Sequence, residues 1–115
     1  LVLPGGPAVF ELREKPRVLD LIRRFHFDGI PIGAICAAPL LLHDAGILSQ
    51  DTEYTAHGST LDELPELQTD RETIVSANLI TSRGAGTAVS FGLALVEKLF
   101  GSEKAEEIKA SIHAA

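Results

Sequence analysis

Ile32-Gly33-Ala34-Ile35-Cys36-Ala37-Ala38-Pro39 carries the single cysteine of the chain at a junction between two kinds of local structure. From Pro31 to Ile35 the residues are small or β-branched and uncharged, the composition of a short strand covered on both faces. From Ala38 to Ala45 the pattern predicts a helix, with Pro39 early, where a missing N–H costs nothing, and Gly46 at the stop. Cys36 therefore falls on the turn itself. At a helix N-terminus, unpaired N–H groups and the dipole favour the thiolate, which is the nucleophilic and oxidisable form. Ala37 and Ala38 leave room beside it for a substrate or for sulfur oxygens. A buried, inert thiol is the other common state of a lone cysteine. Strand-to-helix elbows, however, are places where nucleophiles are presented.

Upstream, Leu1-Val2-Leu3-Pro4-Gly5-Gly6 reads as the end of an apolar strand running into a glycine turn, and paired glycines allow positive φ and close approach of the backbone to another group. A looser segment follows. Pro16 to Phe27 then predicts an amphipathic helix, with Val18, Leu21, Ile22 and Phe25 on one face, Arg23 and Arg24 outside, and Gly29 ending it. Downstream, Leu48 to Asp51 is a turn, and Glu53-Tyr54-Thr55-Ala56 predicts a short strand that delivers His57. Thr60-Leu61-Asp62-Glu63 has the capping-box spacing of a short helix stopped by Pro65. Thr73-Ile74-Val75 and Leu79-Ile80-Thr81 predict a hairpin or a bulged pair across Ser76-Ala77-Asn78.

Ser82 to Thr87 is a small-residue loop opening a helix to Phe100 that is apolar nearly all round, and it is expected to pack deeply. Gly101 stops it, and Ser102 is read as the cap of a last helix through Ile112. Strands alternating with helices imply an α/β layer fold on a mainly parallel sheet, whose sites lie outside the carboxyl ends of the strands. Gly6, Cys36 and His57 all fall at such ends.

Composition bounds the function. A chain of 115 residues with 45% hydrophobic and 23% charged residues predicts a single globular domain. A net charge of −6 without a basic cluster argues against nucleic-acid or anionic-membrane partners. No apolar run reaches membrane-spanning length, no signal peptide is read at the start, and one cysteine makes no internal disulfide, so a reducing, cytoplasmic setting is expected. The chain has no methionine and opens in mid-strand at Leu1, the expectation for part of a longer polypeptide.

Gly84-Ala85-Gly86-Thr87 lacks the lysine and the glycine spacing of a phosphate loop and reads as a tight strand-to-helix turn. The four histidines have no pairwise ligand spacing, so neither a metal nor another cofactor is expected. His26 and His43 read as helix-surface residues and His113 as part of a frayed end. For His57, position alone leaves a turn residue and a catalytic imidazole equally open.

Val2-Leu3-Pro4-Gly5-Gly6, Ala34-Ile35-Cys36-Ala37-Ala38-Pro39, Thr81-Ser82-Arg83-Gly84-Ala85-Gly86-Thr87 and the helix at Leu93-Ala94-Leu95-Val96-Glu97-Lys98-Leu99 occur in one order. Together they resemble the ThiJ/PfpI family, in the branch of the parkinsonism-associated deglycase, over almost the whole chain. The resemblance implies a flavodoxin-like, doubly wound three-layer sandwich of the class I glutamine-amidotransferase-like kind, commonly a homodimer, of which residues 1–115 would be the C-terminal portion. It implies activity on small reactive carbonyls or glycated proteins, as a glutathione-independent glyoxalase converting methylglyoxal to lactate or as a deglycase. Chaperone and peroxide-sensor roles are also found in the family.

Carried over by position, Cys36 matches the nucleophile, His57 the histidine after the next strand, and the N–H groups of Gly6 and Ala37 the oxyanion pocket. Ala37 stands where the protease-like branch has histidine, which argues against a peptidase. Ala85 replaces the proline usual in the related branch and loosens that wall. An amidotransferase relative, the third reading, needs a His-x-Glu pair that His57-Gly58-Ser59 does not supply. The family's first strands and a glutamate that shares a proton with the cysteine would precede Leu1, roughly 60 residues for two βα units. Residues 1–115 alone are therefore expected to be unstable and inactive.

Overall fold

A computed structural model describes residues 1–115. Four strands form one sheet in the order β1-β2-β4-β3, with β1 at Val2–Leu3, β2 at Ile32–Ile35, β3 at Thr73–Ser76 and β4 at Leu79–Ser82. β1, β2 and β4 run parallel, and β3 returns antiparallel to β4 as the predicted hairpin. The carboxyl ends of the three parallel strands therefore reach the same edge, which brings Pro4-Gly5-Gly6, Cys36 and Arg83-Gly84 together although they are distant in sequence.

The pleat assigns the two faces. Ile32 and Ala34 point to one side of β2 and join Leu3, Val9, Ile22, Leu40, Leu41 and Leu42 in the main core. That side is covered by α1 (Ala8–Leu12), α2 (Pro16–Phe27) and α3 (Pro39–Asp44). Gly33 points to the other side, where a Cβ would lie 2.9 Å from Leu95 Cδ2 and from Phe91 Cζ of α4 (Ala88–Phe100). Having no side chain there, it lets the helix seat directly on the strand. α5 (Ser102–Ser111) packs on α4 and completes that layer. Helices on both faces of a largely parallel sheet give the expected three layers.

Several local expectations need correction. The segment after Gly6 contains α1, with Val9 wholly buried as its anchor. On α2 the core side is Val18, Leu19, Ile22 and Phe25, whereas Leu21 is exposed. Glu53–Ala56 forms no strand. It runs over the β3–β4 hairpin, and side-chain hydroxyls take the place of a backbone ladder: the Glu53 amide donates to Ser76 Oγ and the Thr55 amide to Thr81 Oγ1. The capping box at Thr60 does not start an α-helix, because Thr60 Oγ1 donates back to the His57 carbonyl and Glu63 turns to Arg13. A 3₁₀ turn at Gly58–Thr60 stands there instead.

Ser102 makes no side-chain cap, and Gly101 holds the N-cap position of α5 at φ 94°. α4 is not deeply packed. Phe91 is its one buried residue, and Val89, Leu99 and Phe100 are more than half exposed, since the sheet and α5 cover only part of its circumference. No helix is long and apolar enough to cross a membrane.

Candidate active site

Cys36 adopts φ 66°, a left-handed conformation rare outside glycine, and one of three such non-glycine positions in the chain. The turn around it explains why the conformation persists. Its N–H donates to the Ser82 carbonyl at 3.0 Å, its C=O accepts the His57 N–H at 2.8 Å, and the Ala38 N–H closes back on the Ile35 carbonyl at 3.1 Å. The strained residue is thus gripped from the end of β4, from the His57 segment and from its own turn. Its side chain is neither fully buried nor fully exposed.

Gly5 forms the wall behind it. A Cβ on Gly5 would stand 2.6 Å from Cys36 Cβ and 3.2 Å from Sγ, so only glycine permits this approach. Gly6 turns the chain at φ 94°, and its carbonyl accepts the Val9 N–H that starts α1. The N–H groups of Gly6 and Ala37 donate to no acceptor in the chain. Ala37 follows the cysteine directly and is buried, and Gly6 follows Gly5, the residue that packs on the cysteine.

His57 reaches the same edge through its main chain, at the exposed rim. Its Nδ1 accepts the Ser59 N–H at 3.1 Å and lies 2.8 Å from Ser59 Oγ. Because a backbone N–H donates to Nδ1, the neutral ring carries its hydrogen on Nε2, which makes no hydrogen bond within the chain. The ring lies beside Gly84, whose Cβ, if present, would be 3.5 Å from His57 Cδ2. His57, Arg83, Gly84 and Thr87 help line an open cleft of about 650 Å³. Cys36 is outside that lining, and the link between Cys36 and His57 is the main-chain hydrogen bond.

Supporting groups not singled out from the sequence surround these residues. Arg83 Nε donates to the Ala56 carbonyl at 3.2 Å and Nη1 to that of Thr69 at 2.9 Å, which pins the residue before His57. Buried Ser82 Oγ donates to the Glu72 carbonyl and meets Thr73 Oγ1 at 2.8 Å and Thr87 Oγ1 at 2.6 Å. This hydroxyl cluster holds the strand end that accepts the Cys36 amide. Arg83 and Ser82 lie within the motif read from the sequence, but nothing local to that motif shows which carbonyls they reach.

A charged cluster lies at the far ends of the same segments. Arg13 donates from Nε and Nη2 to Asp44 at 2.7 and 3.0 Å, and from Nη1 and Nη2 to Glu63 at 3.0 and 2.7 Å. The two carboxylates hold the guanidinium charged well above its ordinary range, and in return the Arg13 hydrogen bond holds the Glu63 carboxyl below the usual carboxylate range. Nearby, burial raises the Tyr54 phenol.

Comparison with known proteins agrees with this architecture. The sequence profile of the DJ-1/PfpI family matches residues 1–98. The chain is 36% identical over 111 residues to the glutathione-independent glyoxalase DJR-1.2 of Caenorhabditis elegans, covering 94% of this chain and 59% of the relative. It is 32% identical over 88 residues to the deglycase PfpI of Pyrococcus furiosus, covering 75% of this chain and 53% of the relative. The crystal structure of Drosophila melanogaster DJ-1beta superposes with a TM-score of 0.92 at 37% identity, over 99% of this chain and 63% of that one. The chain thus spans less than two thirds of the proteins it matches. Matched by the family profile over most of its length and sharing a flavodoxin-like sandwich with these structures, the chain belongs to the DJ-1/PfpI family.

Proposed function

We propose that this protein acts on small reactive carbonyls with Cys36 as nucleophile, as a glyoxalase or deglycase that needs no glutathione. The observation that carries the reading is the left-handed Cys36 at the strand end, backed by Gly5, with the N–H groups of the next residues along each segment, Gly6 and Ala37, left unspent. A strained, immobilised nucleophile beside free donors suits a reaction in which negative charge develops on an oxygen next to sulfur. The names of the worm glyoxalase and the archaeal deglycase support the same chemistry.

With methylglyoxal, the Cys36 thiolate adds to the aldehyde carbon and forms a C–S bond. The aldehyde π electrons move to oxygen, which the Gly6 and Ala37 N–H groups stabilise and which is then protonated to a hemithioacetal. Loss of the C1 proton and reprotonation at C2 give the thioester of lactate, with no outside oxidant or reductant. Water then cleaves the thioester and regenerates the thiol. His57 enters through Nε2–H as the proton donor to a substrate oxygen, because Nδ1 is already occupied by Ser59. Activity of the whole protein also draws on whatever carboxylate takes the C1 proton.

The same unspent N–H groups favour a second reading, in which oxidised Cys36 is a sulfinate held by them and the protein reports peroxide or protects other proteins. Steady-state turnover of methylglyoxal to lactate by the complete protein, compared with a Cys36→Ser variant and with the mass gained under mild peroxide, separates the two. Turnover abolished by Cys36→Ser is the result expected of the enzyme. Stoichiometric oxidation without turnover would leave the sensor.

A further inference from the structure

The three segments that carry the candidate site each end, a few residues on, at one guanidinium. The Gly6 carbonyl accepts the first amide bond of α1, and Arg13 caps that helix. Cys36 leads through its turn into α3, which closes with Asp44. The His57 carbonyl accepts both the Thr60 amide and Thr60 Oγ1, and the Glu63 amide returns to the Thr60 carbonyl, so hydrogen-bonded turns join His57 to Glu63. Arg13 grips Asp44 with one edge of its fork and Glu63 with another, and its side chain and that of Asp44 are only 20% exposed.

We propose that Arg13 is a positioning residue that sets the spacing of the glycine turn, the cysteine elbow and the His57 loop from behind the site. A two-edged fork suits this task. Paired, parallel hydrogen bonds fix direction as well as distance, which a lysine point charge cannot do. The two arms have different duties. The Asp44 arm ties the Gly6 helix to the Cys36 helix and so holds the oxyanion donors against the sulfur. The Glu63 arm ties both to the His57 loop and places Nε2. Glu63 is about half exposed, and an exposed ion pair is ordinarily of little consequence for stability, so this arm matters more for placement than for holding the fold.

The proposal rests on the reading of His57 as proton donor to a Cys36 adduct, and the test separates the two. In the complete protein, Glu63→Gln takes the charge and one of the two acceptor oxygens from one arm, at an exposed position. We expect kcat for methylglyoxal to fall about tenfold with KM unchanged to within about twofold, as a small misplacement of a reacting group does. The rate of Cys36 oxidation by peroxide stays as it was. In a His57→Ala background the same substitution produces no further loss. Arg13→Lys restores part of what Arg13→Gln removes. Equal proportional losses with and without His57 would overturn the proposal and leave the carbonyl reading intact. If the unsubstituted protein turns over no carbonyl, that reading fails, and the His57 ring resonances decide the positioning role. They shift in Glu63→Gln and Arg13→Gln while those of His26 do not, and an unmoved His57 signal overturns it.

Discussion

The His57 amide donates to the Cys36 carbonyl at 2.8 Å. The candidate acid and the candidate nucleophile are therefore joined through peptide groups, and either side chain can be replaced without breaking the link. Function and scaffold can accordingly be separated by substitution at these two positions.

His57→Ala is expected to lower carbonyl turnover by about 10² to 10⁴-fold, the usual contribution of a positioned acid or base. Peroxide oxidation of Cys36 should stay nearly constant, because in the proposed reading the sulfur oxygens are held by the Gly6 and Ala37 amides and not by the imidazole. Parallel assays of lactate formation and sulfinate mass check this. Equal loss of both activities would show that His57 supports the shape of the site.

Two glycines give a contrasting pair. Gly5→Ala forces a methyl group to 2.6 Å from Cys36 Cβ, and Gly33→Ala forces one to 2.9 Å from Leu95 and Phe91. Each overpacks its surroundings at a cost of about 1–3 kcal/mol, read as a fall in the chemical denaturation midpoint. Only Gly5→Ala should also change the alkylation rate of Cys36 by iodoacetamide. A matching change in Gly33→Ala would mean that the elbow responds to packing on the far face of the sheet.

The Arg13 cluster predicts an acid response. The folded state holds the Glu63 carboxyl below its ordinary value, so its contribution to stability is present above the unfolded-chain pKa of about 4.3 and is lost as pH falls through the lower folded value. Thermal midpoints measured on the acid side of that range should fall with pH in the unsubstituted protein and fall less steeply in Glu63→Gln. Identical slopes would remove Glu63 from the acid response.

The uncovered part of α4 leads to the fourth expectation. Val89, Leu99 and Phe100, with Phe27 on α2 and Phe10 on α1, are large apolar side chains more than half exposed. Covering one such side chain contributes about 1.5–3 kcal/mol. Residues 1–115 expressed alone should self-associate or aggregate, and gel filtration with light scattering measures it. A monomer that melts cooperatively would show that this surface tolerates water.

Where neighbouring residues set the local structure, the sequence was legible. Pro16 and Gly29 bracket α2, the β3–β4 hairpin follows from two short apolar runs, and Pro4-Gly5-Gly6 signals both a positive φ and a close approach. Cys36 could be placed on its elbow for the same reason. What was not legible depends on distant partners. Glu53–Ala56 looks like a strand until its amides find Ser76 and Thr81, and Thr60 looks like a cap until its hydroxyl turns to His57. No local pattern joins Arg13 to both Asp44 and Glu63. The depth of α4 was misjudged because an all-apolar helix reports what it needs to have covered, not what covers it.

The left-handed backbone at Cys36 also shapes how this position would change over generations. An L-residue held there costs of order 1–3 kcal/mol, and glycine would relieve that cost while deleting the thiol. Selection for folding and selection for chemistry therefore pull in opposite directions at one codon. In a lineage released from the need for the thiol, glycine is the replacement that stability alone would favour. A library sorted only for thermal resistance should accordingly enrich chemically silent molecules at this site.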